Sequence, residues 1–400
     1  MLRLCLSVAL IVFCNGRVDA QLQQISKLDL LQLGRNQKVL ACHFKDGMVT
    51  VLIRRSTAES KEVAFSLCEL GRNGRILSEK VIHQWNPEHG GGMNFAFALA
   101  TNHLDEESSD IGTLVLGPMT REETGVFQRY SSTGRLQWTE SLPGGNFAYC
   151  VDIKRSKHGF VIAGVGGSPS TATVRGLDER GRESWQLVGK KRHQASRILV
   201  NSNGEIIAFT DPIDLSSEEL SMLVLVAADG KKLKEKPLEG FGKISDHRFQ
   251  ALILGTLDFA WLAGPIKKDS FVFAFANKPF PTGAPTELHA DIYDSNLEQI
   301  RTIDFGNSFE RWTYFFDVSK LDDEKLLVSG VSDGKVHCAV MGLDGKLLHT
   351  IQITPQEQTL FANVWTDGSG QVAIFLECLE QAYTGRVVRA GTLYLLQDKK

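Results

Sequence analysis

The chain has 400 residues, and its 44 Lys and Arg nearly balance 47 Asp and Glu, for a formal net charge of −3. Neither sign forms a long block, which argues against a nucleic-acid-binding surface or a strongly charged membrane or mineral partner. Apolar residues make up 42%, enough for a large core that needs no disulfide staples. The predicted elements begin with a secretory leader over residues 1–20. Arg3 supplies the basic start, Leu4 to Phe13 an apolar stretch, and Val18-Asp19-Ala20 small residues before a cut at Gln21. The apolar stretch is too short to span a bilayer, and no later segment is long enough for a transmembrane helix. The expected product is a secreted chain over 21–400, periplasmic if bacterial.

An orphan strand is expected at Leu28 to Leu33. After it a glycine turn recurs, at Asn73-Gly74-Arg75, Thr133-Gly134-Arg135, Arg180-Gly181-Arg182, Asp229-Gly230-Lys231 and Asp344-Gly345-Lys346, with a degenerate copy at Asp294-Ser295-Asn296-Leu297. Each turn separates two short apolar runs, as a tight β-hairpin does. The copies lie roughly 47 to 66 residues apart, the rhythm of a strand-rich repeat. Four strands per unit, a to d, fit the spacing, with the glycine turn between c and d. The units run from about Val39 to Gln84, Met93 to Leu142, Phe147 to Val188, Ala195 to Leu238, Phe249 to Asp304 and Thr313 to Thr354.

The last copy, Leu360 to Gln397, has strands a, b and c only. The orphan strand would supply its missing d, because a propeller blade cannot leave its neighbour-facing surface bare. The fold expected is all-β: a single seven-bladed β-propeller domain closed by an N-terminal strand that completes the last blade. Glycines at Gly117, Gly164, Gly264 and Gly330 are read as closing strand b, and small residues such as Ala96 to Ala100 mark the crowded strand a. The segment Lys267 to Thr286, with Phe271, Phe273, Phe275 and Phe280, is read as an insertion between b and c of the fifth unit, either a loop that carries function or an elongated strand that packs its phenylalanines.

Two c–d turns are more specific: Tyr130 to Trp138 reads Y-S-S-T-G-R-L-Q-W, and Leu177 to Trp185 reads L-D-E-R-G-R-E-S-W. They resemble the D-x-x-T-G-x-x-x-W repeat of the PQQ-like β-propellers. The resemblance implies that the Trp docks one blade onto the next. Ser78, Lys234 and His349 hold the matching place in three other units. The chain has no adjacent cysteine pair, so the resemblance is to a non-quinone member, and no cofactor is expected.

Of the 7 cysteines, Cys42, Cys68, Cys150, Cys338 and Cys378 follow the leader. Their irregular spacing fits buried free thiols better than zinc or redox motifs, with one or two disulfides as the alternative. The d–a loops place Asn94, Asn146, His193, His247, Arg311 and Gln358 around one channel mouth. Such a ring suits a polar ligand, a carbohydrate or peptide end, or a protein partner. His83, His89, His193 and His247 lack metal-ligand spacing. The acidic loops Asp105-Glu106-Glu107 with Asp110, and Asp211, Asp214, Glu218 and Glu219, lack a calcium pattern, so no metal is expected. The run Lys190-Lys191-Arg192 reads as a solvated loop. The expected function is a secreted, non-catalytic binding or scaffold protein. The alternatives are an extracellular polysaccharide hydrolase or lyase, or a matrix component.

Overall fold

The structure, a computed structural model, describes residues 22–29, 37–45, 48–56, 63–71, 73–85, 99–101, 110–115, 126–131, 135–141, 149–166, 171–213, 219–238, 260–277, 287–333, 335–353, 359–381 and 387–398. The first strand is β1 (Leu22–Asp29). Four strands then follow in each of six antiparallel sheets, paired in chain order. The first sheet holds β2 (Gln37–Lys45), β3 (Met48–Ser56), β4 (Val63–Leu70) and β5 (Ile76–Trp85). The next holds β6 (Leu99–Thr101), β7 (Asp110–Val115), β8 (Val126–Ser131) and β9 (Leu136–Ser141). The third holds β10 (Tyr149–Ser156), β11 (Gly159–Gly166), β12 (Thr171–Leu177) and β13 (Glu183–Lys191). The fourth holds β14 (His193–Val200), β15 (Ile206–Pro212), β16 (Met222–Val226) and β17 (Lys232–Pro237). The fifth holds β18 (Ala260–Ala263), β19 (Phe271–Asn277), β20 (Glu287–Tyr293) and β21 (Gln299–Ile303). The sixth holds β22 (Trp312–Lys320), β23 (Lys325–Ser332), β24 (Lys335–Gly342) and β25 (Leu347–Ile353). A seventh sheet joins β26 (Thr359–Thr366), β27 (Gln371–Gln381) and β28 (Val387–Asp398) to β1, in the order β1-β28-β27-β26.

The first strands of consecutive sheets touch in a closed cycle, β2 to β6, β10, β14, β18, β22, β26 and back to β2. This is an all-β propeller, with strand a of each unit lining the axis. Core clusters sit between neighbouring sheets: Val161, Val174, Ile198 and Val224 join the third and fourth, and Val272, Ile292, Phe315 and Val328 join the fifth and sixth. Strands in second and third place are therefore covered on both faces. That is why β11, G-F-V-I-A-G-V-G, and β12, T-A-T-V-R-G-L, are buried throughout. The fourth strand is the rim, and β13 is largely exposed.

The repeated turns whose residues are described lie between the third and fourth strands, as the sequence predicts, while Thr133 and Gly134 lie outside the described residues. Where the turn is fully described, it is a three-residue loop with a left-handed third residue rather than a two-residue one. The Gly181 N–H bonds the Asp178 carbonyl at 2.9 Å, the Asp178 N–H bonds the Arg182 carbonyl at 2.9 Å, and Gly181 has φ 80°. The degenerate copy makes the same two bonds from Asp294, with Leu297 in glycine's place at φ 61°.

Four residues beyond that left-handed position lies the site of the tryptophan motif, and there the fourth strand meets the next sheet. A Cβ on Gly230, in the following sheet's turn, would come within 2.5 Å of the Trp185 ring. The matching Lys234 ion-pairs with Glu298 of the next turn, and the matching Arg301 donates to the Leu343 carbonyl at 2.8 Å. One position thus docks sheets by stacking, by charge or by hydrogen bond.

Three expectations need correction. The N-terminal strand is Leu22–Asp29, not Leu28 to Leu33. A bulge between Gln24 and Ser26 breaks its two-residue alternation and hides it. The aromatic segment is not an insertion. Phe271–Asn277 is the second strand of its sheet, with Phe271, Phe273 and Phe275 packed toward the fourth sheet and Val272, Ala274 and Ala276 toward the sixth. Gly264 consequently follows the first strand β18 rather than closing the second. Gly164 and Gly330 lie inside second strands, where crowding explains the latter: a Cβ there would come within 2.4 Å of the Tyr314 carbonyl. Gly117 lies outside the described residues.

The second and third sheets are also joined by charge. Glu179, in the third sheet's c–d turn, pairs with Arg155 and, at 2.8 Å, with Arg129 of β8. Both guanidinium groups lie over the Phe160 ring. Burial pushes the Glu179 carboxyl up, but the hydrogen bonds and charges of Arg155 and Arg129 outweigh it and hold it below its usual 4.5. The resulting stabilisation is full above that value and is lost as pH falls through the lower folded-state value. The side chain is 46% exposed, so screening limits the effect to about 1 kcal/mol. Glu179→Gln should lower stability by about that much at neutral pH in denaturant titrations, and the gap from wild type should close in acid. A constant gap at every pH would refute the ion-pair account.

Candidate functional site

The inner strands share a local device. A bulge interrupts β2 between Val39 and Ala41, β10 between Cys150 and Asp152, β14 between Ala195 and Arg197, β22 between Phe315 and Asp317 and β26 between Thr359 and Phe361. A bulge bends its strand and re-aims the next side chain. In β10 that residue is Asp152, whose carboxylate accepts from the backbone N–H of Ile153 and of Ile198 on β14, each at 2.9 Å. This stitches adjacent inner strands together. In β14 and β22 the equivalent residues, Arg197 and Asp317, line a cavity.

That cavity measures about 630 Å³ and lies among the inner strands, toward the end where they turn into the second strands. Its wall includes Lys154, Arg197, Asn201, Ser202, Trp261, Asp317, Ser319, Lys320, Trp365 and Thr366. The Lys154 ammonium lies 3.4 Å from Asp152, and that of Lys320 2.7 Å from Asp323. Arg197 donates to the Ser196 carbonyl at 2.7 Å. Asp367, also in the wall, spends its carboxylate on its own turn, accepting from the N–H groups of Ser369 at 2.8 Å and Gln371 at 2.9 Å. Cys42 borders the cavity as a neutral thiol, because burial pushes its pKa far above the ordinary range.

The mouth is cross-tied between sheets. Ser202 donates to Asp269 at 2.6 Å, Lys267 meets Glu324 at 3.3 Å, and the Thr366 hydroxyl donates to the Lys320 carbonyl at 2.5 Å.

Of the ring of residues expected from the d–a loops, His193 and Arg311 are described, and they lie where their inner strands begin, at the opposite end of those strands from the cavity. His193 opens β14 and is fully buried, its Nε2 2.8 Å from a Glu219 carboxylate oxygen. The Glu219 carboxyl is held below its usual value, first by that bond, which outweighs the opposing effect of burial, and then by Lys190 at 3.3 Å. Glu219 and Lys190 are thus partners in one cluster rather than parts of separate loops. Arg311 is exposed beside Trp312. Asn94, Asn146, His247 and Gln358 lie outside the described residues, as do His89, Asp105-Glu106-Glu107, Asp214 and Glu218. Of His83, only its place on β5 is described. Asp211 is buried and bonds Ser196 at 3.2 Å and Gln194 at 3.4 Å.

Among the described residues, no three His, Cys, Asp or Glu side chains come together to hold a metal. Cys42, Cys68 and Cys338 are free thiols, and burial raises Cys68 and Cys338 to about 12. No helix among the described residues is long and apolar enough to cross a membrane.

No family model matches the sequence, and no curated protein matches it. Solved structures do. The β-propeller domain of the Trilobed protease from Pyrococcus furiosus, reported with an open velcro topology, aligns with a TM-score of 0.52 at 10% identity over 91% of this chain and 96% of that one. A prolyl endopeptidase gives 0.52 at 13% identity over 90% of this chain and 50% of its own. The acylaminoacyl peptidase of Pyrococcus horikoshii gives 0.51 at 10% identity over 88% and 52%. This chain therefore spans about half the length of those two peptidases. What these likenesses share with it is the fold, an all-β propeller.

Proposed function

We propose that the protein is an exported, non-catalytic binding propeller of seven blades, and that its ligand enters the axial cavity at the a–b end. The observation that carries this reading is the cavity itself. It falls in the size range of small-ligand sites, mixes aromatic walls with convergent polar groups, and has a mouth pre-organised by contacts between sheets. Seven four-stranded sheets, the cycle of inner strands and the pairing of β1 with β28 support the seven-blade reading. The docking of Trp185 over Gly230 supports kinship with the PQQ-like propellers.

The test is thermal melting against a panel of small polar ligands. A ligand bound only by the folded state stabilises by about 2.7 kcal/mol at a hundredfold over its dissociation constant. Ser319→Phe would plug the cavity, and Ser202→Trp would obstruct its mouth. Both should abolish a shift seen in the wild type. A full shift retained in both folded variants would place the ligand elsewhere and overturn the proposal.

A further inference from the structure

We infer that the axial cavity takes an uncharged polyhydroxyl ligand, a neutral sugar; this rests on the binding reading above and extends it to the ligand's chemistry. The charges on the wall already have partners. Lys154 meets Asp152 at 3.4 Å, Lys320 meets Asp323 at 2.7 Å, and Arg155 pairs with Glu179. Asp367 holds its own turn. Arg197 and Asp317, one of each sign, have contacts of their own. A ligand with a net charge would lose its hydration on entry and find little in this wall to replace it.

The polar groups nevertheless keep bonding capacity. A carboxylate or carbonyl oxygen accepts from more than one donor, and an ammonium carries three N–H groups. A sugar hydroxyl both donates and accepts, so it can join these pairs without upsetting their charge. At the mouth, Ser202 and Thr366 add hydroxyl oxygens that can still accept while donating to Asp269 and to the Lys320 carbonyl.

The rest of the wall is apolar. Leu199, Leu262, Val318 and Val364 line it, and Trp365 borders it half-buried, packed against the core between the first and last sheets. A sugar ring has C–H faces that suit such surfaces and hydroxyl edges that suit the pairs. A wholly apolar ligand would cover the polar groups without bonding them, which is costly.

A glycan array probed with the labelled protein tests this. Neutral glycans should bind, and analogues carrying a uronic acid or an amino sugar at the same position should bind at least about tenfold more weakly. The tightest neutral glycan, titrated at about 50 mM and about 500 mM NaCl, should show the same affinity within about twofold, because salt screens only charges. Trp365→Leu should weaken it by about tenfold. Ser202→Trp, at the exposed mouth, should also weaken it and leaves the core intact if Trp365→Leu does not fold.

Charged analogues that bind as tightly, or an affinity that falls steeply with salt, would overturn the neutral-sugar inference and leave the binding reading standing. An array with no bound glycan would also overturn it, while a ligand found by the melting panel and lost in Ser202→Trp would uphold the binding reading. Glycan binding unchanged in both folded variants would put the sugar outside the cavity and overturn both.

Discussion

Deleting residues 22–29 should leave a protein that cannot hold its ring and elutes as aggregate. The deletion removes β1, which pairs with β28 from Leu22 opposite Asp398 to Asp29 opposite Thr392. With a net worth of about 1 kcal/mol per hydrogen bond, several lost bonds approach the 5–15 kcal/mol that holds a typical domain together. Side-chain contact goes too, including the Lys27 ammonium 5.6 Å from the Tyr394 ring centre. The deletion also bares the long edge of β28. Unpaired edges of this kind recruit other chains. Size-exclusion chromatography with thermal melting checks the outcome. A monomeric deletion protein with an unchanged midpoint would mean that β1 does not close the ring.

Phe273→Ala should be the most damaging single substitution in the core. Phe273 is 1% exposed and sits in the middle of β19, its ring centre 5.2 Å from that of Phe209 in the neighbouring sheet and 5.7 Å from that of Phe275. It packs with Leu223 and Leu225 across the gap between the fourth and fifth sheets. Truncating such a side chain typically costs about 3–5 kcal/mol, since the lost contacts leave a hole that rigid sheets cannot close. Leu233→Ala on the exposed rim strand β17, where Leu233 is 47% exposed, should change stability by less than about 0.5 kcal/mol. Denaturant titration of the two variants separates these outcomes. Equal stabilities would argue against β19 as a strand buried on both faces.

These two sites also mark what the sequence makes legible. The c–d hairpins were readable because their left-handed position favours glycine, and glycine is visible in a sequence. The exception, Leu297, is legible as the end of the degenerate copy Asp294-Ser295-Asn296-Leu297, which lies between two apolar runs as the others do. The position of Trp185, four residues beyond that glycine, was likewise readable. The register confirms its equivalents: Trp185 opposes Gly176, Lys234 opposes Leu225, and His349 opposes Val340.

The run Phe271–Asn277 misled because a strand covered on both faces has no two-residue alternation, so it resembles an aromatic insertion. β1 misled because a bulge interrupts its period. The cavity was hidden for another reason. Its wall is assembled from inner strands many tens of residues apart, and no spacing rule links them. A local signal did exist, in the charged Arg197 and Asp317 within otherwise mostly apolar strands, each directly after a bulge. Attention to the d–a loops favoured the opposite end of the axis, where buried His193 is held by Glu219.

The pairing of β1 with β28 also bears on how the protein reaches its native state. The first described strand meets its partner only after almost every other described strand has been made. During synthesis, each earlier sheet can form its own local hairpins, yet β1 has nowhere to dock until the last sheet emerges. Closing so long a loop adds entropy slowly with length, but a contact this distant delays the final step and keeps an apolar edge waiting. The closure that secures the finished ring therefore makes the nascent chain most vulnerable to misassembly just before completion.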